Sequence, residues 1–127
     1  MSEVIKERFA AAPEVPGHAR ALVRKLGLPD STRSTVELIV SELVTNAVVH
    51  GDAGRGEPVL VSLCRTEGEC VRGKVCSRGS DFEWTGDGKD LLEPGGLGLH
   101  LVDTVTTDWG IERNGCQCVW FECDECD

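Results

Sequence analysis

In the stretch "SELVTNAVVHG", Ser41 to Gly51, a carboxylate, an amide and an imidazole recur every fourth residue, at Glu42, Asn46 and His50. That spacing sets the three side chains along one line of an α-helix, with neighbours about 6 Å apart. A carboxylate and an amide carbonyl on one ridge are hard oxygen donors. They suit Mg²⁺, a small cation that takes oxygen ligands and keeps several waters. A glutamate beside such a site could also orient or deprotonate a hydroxyl or a water. The plain alternative is a solvated helix edge joined by an i,i+4 hydrogen bond. Two more stretches carry possible chemistry. In "EPGGLGLHLV" a glycine cluster opens a helix, where unpaired backbone N–H groups can receive a phosphate, although a tight turn reads the same way. In "VCSRGSDF" a strand ends at Ser77-Arg78-Gly79 and the chain enters a long polar loop.

Regular elements must hold these residues in place. Around Asn46, Val36, Ile39, Val40, Leu43, Val44 and Ala47 fall within one broad arc at about 100° per residue. This predicts a long helix ending at His50 and Gly51, with the polar line at the edge of its apolar face. Ser34 and Glu37 form a candidate capping box for its start, with Asp30 and Ser31 as earlier candidates. A shorter helix is expected in "VPGHARALVRKLG", opened by Pro16-Gly17 and closed by Gly27. The first ten residues read as an edge strand. "EPVLVSLCRT" and "ECVRGKVCS" read as two strands around Glu67-Gly68-Glu69. Val59, Val61 and Leu63 share one face of the first, and Val71 and Val75 share one face of the second, opposite Arg72 and Lys74. That alternation predicts a sheet covered on one side. "TDWGIER" and "CQCVWFEC", joined by Asn114-Gly115, read as a closing hairpin. The order β-α-α-β-β-lid-α-β-β predicts an α+β two-layer sandwich, with a mixed, mostly antiparallel sheet and helices on one face. A chain of 127 residues has room for one domain and one core, so 1–127 is expected to be a single domain.

Thirteen basic and twenty-two acidic side chains give a net charge of −9, which argues against direct nucleic-acid binding. An anionic ligand must then be held locally, by backbone N–H groups or a metal. No apolar run is long enough for a membrane span, and "MSEVIKERFAAAP" has no apolar leader core, so a cytoplasmic location is expected. Seven cysteines are many for this length. Cys116, Cys118, Cys123 and Cys126 could together bind zinc, but their spacing is not a strong zinc pattern. The preferred reading is structural free thiols, with Cys64, Cys70 and Cys76 on or beside strands as small apolar residues.

Taken together and in this order, "SELVTNAVVHG", "VCSRGSDF", "GGLGLHLVD" and "DWGIERNGCQCVWFE" resemble the GHKL, or Bergerat-type, ATP-binding domains. The fit is nearest to the bacterial anti-sigma-factor serine/threonine kinases, and it runs from about "VPGHARALVRKLGL" to Glu122. The resemblance implies ATP and Mg²⁺ as cofactors. Asn46 would hold the Mg²⁺ and Glu42 would be the general base that activates a partner's Ser or Thr hydroxyl. His50 and Gly51 would lie near the adenosine. Ser77 and Gly79 would stand in the first glycine box. Gly96 and Gly98, with the N–H groups of Leu97 and Leu99, would cradle the phosphates beneath a lid at about 80–94. The implied partners are an anti-sigma-factor antagonist and a sigma factor, with no membrane and with a homodimer left open.

Two positions depart from the family pattern. Ser77 replaces the aspartate that accepts the adenine amino group, and Cys118 stands where relatives often place a threonine. A second function therefore stays open beside the kinase: a protein-binding regulator on the same fold with weak or no nucleotide use. A sensor histidine kinase fits less well, since no helix pair for dimerisation and phosphoacceptance precedes the domain.

Overall fold

Alternating apolar residues build the centre of a five-stranded sheet, and two helices cover one of its faces. The computed structural model describes residues 3–10, 14–50, 58–66, 70–78, 102–113 and 116–124, with the side chains at 3, 49, 50, 78, 113, 116 and 117 left out of that description. In chain order the elements are β1 (Glu3–Ala10), α1 (Val15–Arg24), α2 (Asp30–His50), β2 (Pro58–Arg65), β3 (Cys70–Arg78), β4 (Asp108–Arg113) and β5 (Cys116–Asp124). A helical turn at 102–105 precedes β4. The sheet runs β1-β2-β3-β5-β4, and every pairing among these strands is antiparallel. Among the described residues no helix is long and apolar enough to cross a membrane.

The core forms where the two periodicities meet. Every second residue of a strand faces the same way, so Val59, Val61, Leu63, Val71, Val75 and Phe121 all turn towards the helices and are buried. Onto them α2 lays Val36, Ile39, Val40, Leu43, Val44 and Ala47, and α1 adds Val15, Ala19, Leu22 and Val23. The far face of the sheet carries ion pairs, Arg72 with Glu122 at 3.1 Å and Lys74 with Glu112 at 3.0 Å. The chain leaves α1 through Gly27 at φ +65, a left-handed conformation that glycine adopts without strain. There the Arg65 guanidinium donates to the carbonyls of Leu26 and Gly27, each at 3.1 Å, tying the end of α1 to β2.

Two expectations are corrected. Helix α2 starts at Asp30, a turn before Ser34, so Ser34 and Glu37 lie inside the helix and make no capping box. The Pro29 carbonyl opens the first turn by accepting the Arg33 N–H at 2.8 Å, and Glu37 instead pairs with Arg24 at 3.5 Å and Arg33 at 3.4 Å. Second, Cys76 and Cys118 are joined in a disulfide rather than being free thiols, while Cys64, Cys70 and Cys123 are in no disulfide. This also weakens the zinc reading. Cys118 is committed to Cys76 on the face turned away from α1 and α2, whereas Cys123 is buried in the core on the other face. Among the described residues no group of three or more cysteine, histidine or carboxylate side chains is placed to hold a metal ion.

Phe121 is paired with Gly73 across β3 and β5, and its ring lies over that glycine. A Cβ at Gly73 would overlap the ring, which is 1% exposed and has no room to turn away. Gly73→Ala is therefore expected to destabilise the fold by about 1–3 kcal/mol, read as a lower urea midpoint. Gly73→Ala combined with Phe121→Leu should recover part of the loss.

Candidate functional site

The polar line of α2 stands where its apolar arc ends. Leu43, Val44 and Ala47 anchor the helix in the core, and Glu42 and Asn46, both half-buried, flank them. The turn carrying Glu42 is tied on two sides. The Arg20 guanidinium of α1 donates to Ser41 Oγ at 2.9 Å, and Thr45 Oγ1 donates to the Ser41 carbonyl at 2.7 Å. Composition and periodicity gave no sign of the Arg20 contact, because it joins residues 21 apart on two helices whose crossing the sequence does not specify.

Asn46 carries the most unusual polar group of the site. Its Nδ2 is buried and has no hydrogen-bond partner among the described residues. A buried amide left unpaired costs about 1–3 kcal/mol, and native folds keep few of them. The unpaired N–H donor is one that an acceptor atom of a ligand could satisfy. The other end of the amide, Oδ1, and the Glu42 carboxylate one turn away are oxygen donors of the kind that fit Mg²⁺, a cation bound through few protein oxygens and several waters.

Ser77 lies near the end of β3, on the face turned to the helices, and is buried at 8% exposure. Helix α2 packs chiefly over this strand, so the described parts of the candidate site share one layer boundary. Cys118 is placed differently from the expectation. It lies opposite Cys76, and Gln117 lies opposite Ser77, so Cys118 is on the far face of the sheet and cannot line a pocket beside Ser77. The backbone of His50 ends α2. Gly51, Gly79, Gly96, Leu97, Gly98, Leu99 and the lid at 80–94 lie outside the described residues. The tail of the second glycine stretch is visible as the helical turn at 102–105. Val102 is buried there, and Asp103 accepts the Trp109 indole N–H at 2.8 Å, which seats the turn on β4.

Comparison with known proteins places this arrangement. Over 97% of its length the chain superposes on the structure of the RsbU and RsbW domains of Rv1364c from Mycobacterium tuberculosis, with a TM-score of 0.73 at 20% identity. The blue-light activated histidine kinase of Erythrobacter litoralis EL346 matches with a TM-score of 0.63 at 21% identity over 86% of the chain. Its separate histidine kinase domain matches with a TM-score of 0.58 at 20% identity over 85% of the chain. The chain spans 32%, 40% and 62% of those three structures, so the likeness is one of fold. No curated protein sequence matches it. The family of histidine kinase-like ATPase domains matches residues 6–123, nearly the whole sequence. By that match, and with the α+β sandwich its strands and helices form, the chain belongs to the histidine kinase-like ATPase domain family.

Proposed function

We propose that this domain binds ATP with Mg²⁺ against α2 and transfers the γ-phosphoryl group to a serine or threonine of a protein partner. The observation that carries the reading is the buried, unpaired amide of Asn46 one turn from Glu42, in a chain of ATPase family. In this reading Asn46 holds the ion and Glu42 takes the proton of the attacking hydroxyl. When bound, Mg²⁺ neutralises charge on the transferred phosphate oxygens, and the protein's work is positioning and electrostatics. His50 and Gly51 border the adenosine, Ser77 and Gly79 the adenine end. Gly96, Leu97, Gly98 and Leu99 present N–H groups to the phosphates under a lid at 80–94. The motifs that resemble the anti-sigma-factor kinases support partners of the anti-sigma type, on a fold shared with the RsbU and RsbW domain structure. An antagonist of an anti-sigma factor would be the phosphoacceptor, and a sigma factor the protein sequestered. One cytoplasmic domain over 1–127, acting on proteins as a homodimer, completes the proposal.

Ser77 favours a second reading, a protein-binding regulator that uses nucleotide weakly. A serine hydroxyl can accept a hydrogen bond from the adenine amino group, directly or through a water, but carries no charge. Calorimetric titration with MgATP separates the two. Ser77→Asp is expected to tighten binding roughly 10- to 100-fold, the worth of about 1.5–3 kcal/mol for a charge-assisted hydrogen bond. Absence of nucleotide binding in both proteins would leave the protein-binding reading standing.

A further inference from the structure

We propose that Cys76 and Cys118 form a thiol–disulfide switch that sets the nucleotide affinity of the pocket from behind; this rests on the nucleotide-binding reading above. The two residues lie opposite each other on β3 and β5, central strands that come together only through the sheet order, and are 42 residues apart in sequence. Their bond lies on the sheet face turned away from α1 and α2, directly behind Ser77 on the pocket side. Ser77 follows Cys76 in β3, and its register partner Gln117 precedes Cys118 in β5. The bond thus fastens together the two backbone segments that frame Ser77.

Three observations favour a switch over a structural staple. β3 and β5 are already paired from Cys70–Asp124 to Arg78–Cys116, so their register does not depend on the bond. Of the other cysteines whose side chains are described, Cys64, Cys70 and Cys123, none is in a disulfide, so there is no wider disulfide framework among them. Cys76, at 9% exposure, also lines an open depression on the face turned away from α1 and α2, with Lys6, Glu7, Arg8 and Lys74 among its other lining residues. The thiolate is the species that attacks a disulfide or a peroxide.

The chemistry balances with ordinary reagents. A dithiol attacks Cys76 Sγ to form a mixed disulfide, and Cys118 leaves as a thiolate that takes up a proton. The second thiol of the reagent then displaces Cys76, so the protein gains two electrons and two protons and the reagent becomes a cyclic disulfide. In the other direction the Cys76 thiolate attacks hydrogen peroxide and becomes a sulfenic acid, with hydroxide leaving. Cys118 then displaces the sulfenic oxygen, so two thiols and one peroxide yield the disulfide and two waters. The oxidised strands are held in one arrangement. After reduction the ends of the two strands lose this covalent tie, and the binding-competent arrangement is a smaller share of the ensemble. Apparent affinity falls with that share.

The experiment titrates the non-hydrolysable analogue AMP-PNP with Mg²⁺ into peroxide-oxidised protein, dithiothreitol-reduced protein and the variant Cys76→Ser/Cys118→Ser. Alkylation mass spectrometry counts thiols in each, and circular dichroism confirms folding. Reduction is expected to expose two additional alkylatable thiols and to weaken binding roughly 3- to 10-fold. The double variant should bind like the reduced protein and ignore both reagents; Cys76→Ala/Cys118→Val replaces it if the serines do not fold. Equal affinity in the two redox forms overturns the switch and leaves nucleotide binding intact. Binding by neither form overturns both. A double variant that still responds to peroxide, or no gain of thiols on reduction, also overturns it.

Discussion

Glu42→Gln lowers phosphoryl transfer to a protein hydroxyl by roughly two to four orders of magnitude, the usual worth of a positioned general base. The substitution keeps the shape of the side chain and the length of its reach while removing the group that takes the proton. Among the described residues no ion pair engages Glu42, so the fold does not depend on its charge. The turn that carries it is fixed by groups the variant leaves alone, Arg20 on Ser41 and Thr45 on the Ser41 carbonyl. MgATP affinity should therefore stay within about threefold of the parent. A loss seen only in turnover marks an interaction made in the transition state. The measurement pairs labelled-phosphate transfer to candidate antagonist proteins with calorimetry of MgATP. Transfer at the parental rate would move the base to another residue. A matching loss of binding would make Glu42 a ligand of the ion rather than a base.

Much of this arrangement was legible in the sequence, and the rest was hidden for identifiable physical reasons. The alternation of Val59, Val61 and Leu63 against Arg72 and Lys74 fixes which sheet face is covered, because strand side chains alternate regardless of what the strand packs on. The arc of α2 likewise places Asn46 at the edge of the core, and the structure finds it there. The start of α2 was ambiguous because Asp30, Ser31 and Ser34 can all cap a helix. The decision falls to Pro29 and to the Arg24–Glu37 contact with α1, neither of which a local pattern reveals. The disulfide was invisible for a stronger reason. β3 and β5 are neighbours only because β5 enters between β3 and β4, so Cys76 and Cys118 meet through a non-sequential strand order. The same order shows that Cys118 faces away from Ser77, which alignment to a family pattern along one strand could not reveal. The unpaired state of the Asn46 amide is a property of packing in three dimensions, and no spacing encodes it.

That amide leads to an opposite pair of effects in one variant. Asn46→Leu is expected to raise the stability of the ligand-free protein while removing Mg²⁺-dependent nucleotide binding. The buried end of the amide has lost its water and gained no partner, at a cost of about 1–3 kcal/mol. Leucine is close in size and brings no polar atom to the same boundary beside Leu43 and Ala47. Recovering even half of that cost raises the melting temperature by roughly 5 °C for a domain of this size. Binding should move the other way, because the ion loses its amide donor. Loss of a hydrogen-bonding or ligating contact to a charged group weakens MgATP by roughly 10- to 100-fold. Asn46→Ala separates the two causes, since it removes the donor but leaves a small cavity and so loses binding without the gain in stability. Thermal unfolding without nucleotide, with and without Mg²⁺, and MgATP calorimetry on all three proteins make the comparison. A leucine variant no more stable than the parent would mean that the amide is satisfied in solution. A leucine variant that binds MgATP as tightly as the parent would remove Asn46 from the metal site. Stability gained where binding is lost is the sign of a polar group held in place for a ligand.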